Sequence, residues 1–309
     1  MKNRNNTKAY FAAILYALII GLSFLFTKIA LTVTNPLNIL AHRFTISFIA
    51  ASIPVLFGWI KLNISGKDIL SILPLALFYP ALFFAFQAFG LVYISSSEAG
   101  IIQATVPVFT MILAAIFLKE NISLLQKISL MLSVCGVIYI FLMKGINLKS
   151  TSFTGIALIV LSALSSACYN VITRKVTKKY KLMDLTYIMI VIGFLSFNTI
   201  SAADYIIRGT FANYFKPFTE PLFLISILYL GILSSLITSL LSNYSLSKMD
   251  ATKMSVFTNL STLITMFAGV IFLHEELKNY HAIGAIMIII GIIGTNFLGR
   301  KNTRLGYNS

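Results

Sequence analysis

Residues Gln103 to Gly136 read QATVPVFTMILAAIFLKENISLLQKISLMLSVCG, and residues Thr258 to Gly291 read TNLSTLITMFAGVIFLHEELKNYHAIGAIMIIIG. Laid one on the other without gaps, Thr110 falls on Thr265, Met111 on Met266, and Phe117-Leu118 on Phe272-Leu273. Glu120 then falls on Glu275, Ile128 on Ile283 and Gly136 on Gly291. Each copy is an apolar helix, a short turn opened by an acid, and a second apolar helix. Chance accounts for shared leucine and isoleucine in two hydrophobic stretches. It accounts less well for a glutamate that ends the first helix in both. Working outward, Ala17-Leu18 aligns with Ala163-Leu164 and Thr27-Lys28 with Thr173-Arg174. The chain therefore reads as two copies of one unit, residues 1–148 and 149–309. Internal symmetry of this kind is a mark of proteins that carry solutes across membranes.

Composition places those copies in a bilayer. The 309 residues are 58% hydrophobic and 11% charged, with a mean hydropathy of +0.90. A soluble domain carries about 25% charged residues. The net charge of +15 does not point to nucleic acid, which needs basic residues gathered on one soluble face. Here the basic residues fall in short gaps between apolar runs, the pattern of the positive-inside rule. Cys135 and Cys168 each stand alone in an apolar run, so neither a metal site nor a disulfide framework is expected. No cofactor is called for. The first apolar run is too long for a signal peptide and lacks a small-residue cleavage site, so it is expected to remain as a spanning helix.

Ten segments reach the length of about 20 apolar residues that a spanning helix needs: 10–33, 37–60, 69–91, 96–119, 126–143, 153–174, 183–206, 221–243, 252–273 and 280–299. With the N-terminus placed in the cytoplasm, 17 of the 24 Lys and Arg fall on the cytoplasmic side. Lys28, Arg43, Lys144, Lys149, Arg208, Lys216 and Lys278 fall on the other. The protein is therefore expected in the plasma membrane with both termini in the cytoplasm. Five helices per copy is an odd number, so the second copy enters the membrane upside down. The expected fold is an all-α polytopic membrane protein of ten transmembrane helices in two inverted five-helix repeats.

The pattern resembles the EamA-type transporters of the drug/metabolite transporter superfamily. In the first half the resemblance rests on Pro36, Arg43, Tyr93, Pro107-Val108-Phe109 and Glu120. In the second it rests on Glu275, Gly284 and Gly291. It implies a central substrate cavity between the repeats and the movement of amino acids or other small metabolites, often outward. One departure stands out. The family usually has a proline in the ninth helix, where this chain has Thr262, so the two half-gates are not expected to bend alike.

Polar side chains are expensive in hydrocarbon and face the bundle interior or water, so they trace the candidate pathway. The sharpest stripe is in the sixth segment: Ser162, Ser165, Ser166, Tyr169, Asn170 and Thr173, spaced by threes and fours on one helical face. The eighth adds Ser235, Thr238, Ser239 and Ser242; the ninth adds Ser255, Thr258, Asn259 and Thr262. The first offers Tyr16, Ser23 and Thr27, the third Tyr79, Phe83, Phe86 and Gln87, and the fourth Gln103, Pro107 and Thr110. Serine and threonine also bond their own backbone or pack small faces together, and the aromatic residues of the third segment also suit a lipid-facing side. Pro80 and Pro107 each remove a backbone hydrogen bond from mid-helix, which suits a hinge, a binding group or a static kink. Arg43, beside His42, is read as reaching to the outer headgroups because its depth is modest; a functional role is the alternative. Glu120 and Glu275, next to Lys119 and His274, are read as structural residues at helix ends.

The expected function is a carrier for small neutral or zwitterionic metabolites, amino acids foremost, working outward by alternating access. A proton-coupled multidrug exporter is one alternative, and it requires a carboxylate deep in the membrane. All nine acids instead lie in loops or near helix ends, with only Glu98 able to stand in. A lipid-linked sugar flippase is another, for which Arg43 is the sole phosphate-binding candidate. No acid–His–nucleophile set, metal cluster or phosphate loop lies in the apolar segments, so an enzyme is not expected. The partners are a small-molecule substrate and the lipid bilayer, without nucleic acid.

Overall fold

A computed structural model describes residues 2–120, 122–144, 150–273 and 279–297. The described residues are helical with no strand. In chain order we number α1 Lys2–Leu31, α2 Pro36–Leu56, α3 Gly66–Tyr93, α4 Ser96–Phe117, α5 Leu124–Lys144, α6 Ser150–Val176, α7 Leu182–Ile207, α8 Pro221–Lys248, α9 Ala251–Leu273 and α10 Asn279–Phe297. Eight are long and apolar enough to cross a membrane; α5 and α10 hold shorter apolar stretches, Leu124–Gly136 and Ala282–Thr295.

The sequence sets the helix starts locally. Asn35 accepts the Asn38 N–H, with Pro36 in the first turn of α2. Capping boxes pair Ser65 with Asp68 at α3 and Ser95 with Glu98 at α4. Such caps satisfy amide groups that a helix terminus leaves without partners. Past the end of α2, Gly58 takes φ +71°, a left-handed conformation that suits glycine.

Packing follows the repeat. α1 lies against α9 and α8, and α6 lies against α4 and α3, which is the same arrangement with the halves exchanged. α2 packs on α7 and α5 on α10, each helix meeting its own counterpart. Helices are antiparallel to their counterparts: Gly155, early in α6, sits on Tyr93 and Ile94 at the end of α3, while α1 begins beside the end of α8, where the Ser245 hydroxyl donates to the Ala9 carbonyl. These are two inverted five-helix repeats. We call the end that holds Ala9 the N-terminal face and the end that holds Tyr93 the far face.

The same register appears inside the helices. α3 kinks at Tyr79, whose φ of −145° and ψ of 116° leave the helical region, and α8 is π-helical over Tyr229–Ile237. The ungapped alignment lays Tyr79 onto Ser234, within that π-helical segment. A π-helical segment widens the backbone ladder and recurs at functional sites. Both α4 and α9 are interrupted, in different places. α4 stops at Gln103 and resumes at Val106, so Pro107 sits in the first turn of the second piece and not in mid-helix. There its missing N–H costs nothing. α9 breaks at Val256, ahead of the Thr262 that replaces the second proline. At the break the Ser255 hydroxyl bonds the Thr252 carbonyl, competing with the helical ladder.

Candidate functional site

Midway through the bundle, aromatic side chains from three helices meet. Tyr79 of α3 stacks on Tyr169 of α6 at 4.5 Å between centroids and leans on Phe83 at 5.1 Å. Tyr16 of α1 belongs to the same buried core cluster. All four are buried. The Tyr169 hydroxyl donates to Asn243 Oδ1 (2.8 Å), and Asn243 Nδ2 donates to Thr186 Oγ1 (2.9 Å). One hydrogen-bonded chain thus ties α6, α8 and α7. Above the box, Gln103 Nε2 donates to Ser162 Oγ (2.9 Å), which donates to the Phe83 carbonyl (3.0 Å).

Arg43 departs from its sequence reading. It does not reach the headgroups; it is 1% exposed. Nε donates to Ser235 Oγ (2.7 Å), and Nη2 donates to the Ser234 hydroxyl (2.8 Å) and carbonyl (3.1 Å). The guanidinium lies 3.7 Å over the Phe84 ring. The π-helical portion of α8 makes this possible, because it turns Ser234 and Ser235 to α2 and brings Gly231 against the Arg43 carbonyl. Over the far end of α2 the 208–220 loop closes: Tyr214 O accepts from Asn38 Nδ2 (3.1 Å) and lies 2.9 Å from His42 Nε2. The Tyr214 phenol is pushed above its usual pKa by burial, and it donates to Asn198 (3.0 Å).

Not every candidate joins this cluster. Ser235 and Thr238 do, on α8. Thr238 and Ser239 flank the Tyr79 phenol, whose oxygen is buried without a hydrogen-bond partner. Gln87 is buried with Nε2 unpartnered. Phe83 is core, not lipid-facing filler. Ser166 is buried on the α6 stripe. Asn170 reaches Thr110 at a long 3.5 Å. Ser23 bonds within its own helix to Ile20 O, 2.7 Å away. Asn259 is turned to α5, where it donates to Ser133, and is not at the aromatic box. Thr262 donates to Gly100 O at 2.8 Å. That carbonyl is free because the α4 break sends the Ala104 N–H to Ile101 instead.

Asn243, Thr186 and Ser234 were not singled out from the sequence. Asn243 lies four residues after Ser239, so extending the α8 stripe by one turn finds it. Thr186 carries no such signal in α7. Two recesses open at the far face. One of 470 Å³ is lined by Thr34, Tyr205, Lys216 and Glu220, and one of 390 Å³ by Lys28, Asn35 and Leu91.

Most described carboxylates are engaged at helix ends. Glu98 closes its capping box, and Asp184 accepts from the Asn63 N–H. Asp250 pairs with Lys253 at 2.8 Å and Arg174 at 3.6 Å. Glu120 does not pair with neighbouring Lys119. Its oxygens accept from Ala251 N (2.9 Å), Thr252 N (3.3 Å) and Thr252 Oγ1 (2.8 Å) at the start of α9. Lys119 takes φ +53° and turns the chain toward that contact. Glu275 lies outside the described residues. Among the described residues, no three His, Cys, Asp or Glu side chains gather as a metal site.

The sequence profile of the EamA-like transporter family matches residues 7–142 and 153–297. Uncharacterized transporter YcxC of Bacillus subtilis (strain 168) is 57% identical over 304 residues, covering 98% of this chain and 97% of that protein. An uncharacterized transporter of Archaeoglobus fulgidus is 28% identical over 272 residues, 88% and 92% of the two chains. A crystal structure at 15% identity has a TM-score of 0.73 over 94% of this chain and 98% of its own. At that identity the likeness concerns the fold alone.

Proposed function

The chain belongs to the EamA-like transporter family, a membrane transporter and not an enzyme, and from that premise we propose that it carries small neutral or zwitterionic metabolites, amino acids foremost, outward by alternating access. The proposal places it in the plasma membrane with both termini in the cytoplasm and its two repeats at 1–148 and 149–309. The observation that carries the substrate class is the central cluster. It holds phenols, amides, hydroxyls and one guanidinium, and no described carboxylate. Proton-coupled extrusion of cations needs an acid there to hold proton and substrate in turn. A solute whose charges cancel does not.

The reading is tested in proteoliposomes with labelled amino acids, with and without a proton gradient. Counterflow of at least one amino acid is expected; a panel without any flux removes the reading. Glu98→Gln is expected to keep most of the flux, since Glu98 serves a helix cap whose loss costs about 1 kcal/mol. Tyr169→Phe keeps the ring stack but orphans Asn243 Oδ1, and its flux is expected to fall severalfold while the protein stays folded. Abolition by Glu98→Gln alone, in folded protein, turns the assignment to acid coupling.

A further inference from the structure

Arg43 is a buried cation whose visible partners are all neutral. Ser235 Oγ, which accepts from Nε, already donates to Leu230 O at 2.9 Å. The Ser234 carbonyl that accepts from Nη2 is shared with Thr238 Oγ1. Neither serine brings charge. Arg43 joins none of the ion pairs among the described residues, and no described group accepts a hydrogen bond from Nη1. A buried charge without a counter-charge is costly. Two more donors wait on the same side. The Tyr79 hydroxyl, on the ring that packs 4.9 Å from Phe84, is buried and makes no hydrogen bond of standard geometry. The same holds for Gln87 Nε2, one turn beyond the Phe84 that carries the guanidinium.

We propose that Arg43 is the anchor for the carboxylate of the transported solute, with Tyr79 and Gln87 as auxiliary donors. This rests on the carrier reading and narrows its substrate to amphoteric carboxylic acids. The chemistry is matched. A guanidinium offers a planar fork that fits two carboxylate oxygens, and Phe84 beneath it holds that plane. The ammonium end of the same solute meets the Tyr79–Tyr169 pair, where a ring face not covered by the stack favours a cation. The solute supplies the missing negative charge when it binds and removes it when it leaves.

The experiment compares amino acids with their carboxamides in reconstituted wild type, Arg43→Lys and Arg43→Gln, checking each variant by size exclusion. Wild type is expected to prefer the acid over the amide by roughly tenfold or more in KM, the scale of a charge-assisted hydrogen bond. Arg43→Lys is expected to raise KM for the acid by a similar factor, and Arg43→Gln to bring acid and amide to near parity. A purely structural role would lower yield without changing that ratio. The acid-to-amide comparison in wild type needs no variant, so a misfolded Arg43→Gln does not protect the proposal. Amino acid flux with no discrimination between acid and amide overturns the anchor and leaves the carrier reading intact. Absence of all flux removes both. Thermal stabilisation by phosphatidylglycerol vesicles that vanishes in Arg43→Lys, with amino acids inert, assigns the arginine to a lipid phosphate and overturns the proposal.

Discussion

Gly291→Val is expected to abolish most of the folded yield. A Cβ built at Gly291 stands 2.4 Å from the Ser133 Cβ and 2.6 Å from the Ser129 carbonyl oxygen. Its repeat counterpart Gly136 sits in the same interface, where a Cβ would meet the Gly284 carbonyl and the Met287 Cβ at 2.8 Å each. The two glycines thus let α5 and α10 approach backbone to backbone, which in lipid is a chief source of helix association. Backbone cannot yield as a flexible side-chain tip does. Overpacking costs about 1–3 kcal/mol even where side chains can move, and here the branched valine must push α5 and α10 apart. The measurement is monodisperse protein recovered in detergent and its thermal midpoint. Recovery and midpoint equal to wild type would show that α5 and α10 do not depend on this contact.

Glu120→Ala is expected to open the N-terminal face. Asp250 occupies the N-cap position of α9 but makes no capping hydrogen bond, because its carboxylate is committed to Lys253 and Arg174. Glu120, from the end of α4, supplies the cap instead, and so joins the two interrupted helices. A carboxylate at a helix N-terminus is also favoured by the helix dipole. The residue is half-buried, so its removal should cost about 1–2 kcal/mol. If this contact exists only when the face is closed, that cost shifts the open population by about 5–30-fold. A reporter is available in Ser242, whose buried hydroxyl has no partner to lose. Ser242→Cys, with Cys135 and Cys168 replaced by alanine, should react severalfold faster with a charged thiol reagent when Glu120 is alanine. Equal rates in both backgrounds would refute a latch, leaving Glu120 as a static cap.

Much of the candidate site was readable because polarity is costly in lipid. Tyr169, Ser235 and Thr238 came from polar stripes on α6 and α8, and Tyr16, Tyr79, Phe83 and Gln103 from the polar and aromatic residues of α1, α3 and α4; they meet in the buried middle of the bundle. Asn259 came from the polar set of α9 and turns to α5. The spacing says that a face is polar, not which neighbour it meets. Arg43 was misjudged for a related reason. Depth along α2 favoured an escape to the headgroups, but its route out is covered by α8 and by the 208–220 loop, and neither is visible from α2.

Run length, charge and register along one dimension are enough to establish a membrane protein, ten helices, a duplicated unit and, from the odd helix count, its inversion. They also keep the acids out of the middle of the helices. What only the tertiary structure decided is how each helix is rotated and which partner it meets. Arg43 came to rest on Ser234 and Ser235, and Glu120 on the start of α9, 131 residues away. Thr262 came to the carbonyl freed in α4. The physical reason is that a helix satisfies its own backbone. Its rotation is therefore left to close packing and to the few polar groups that must find partners across a gap.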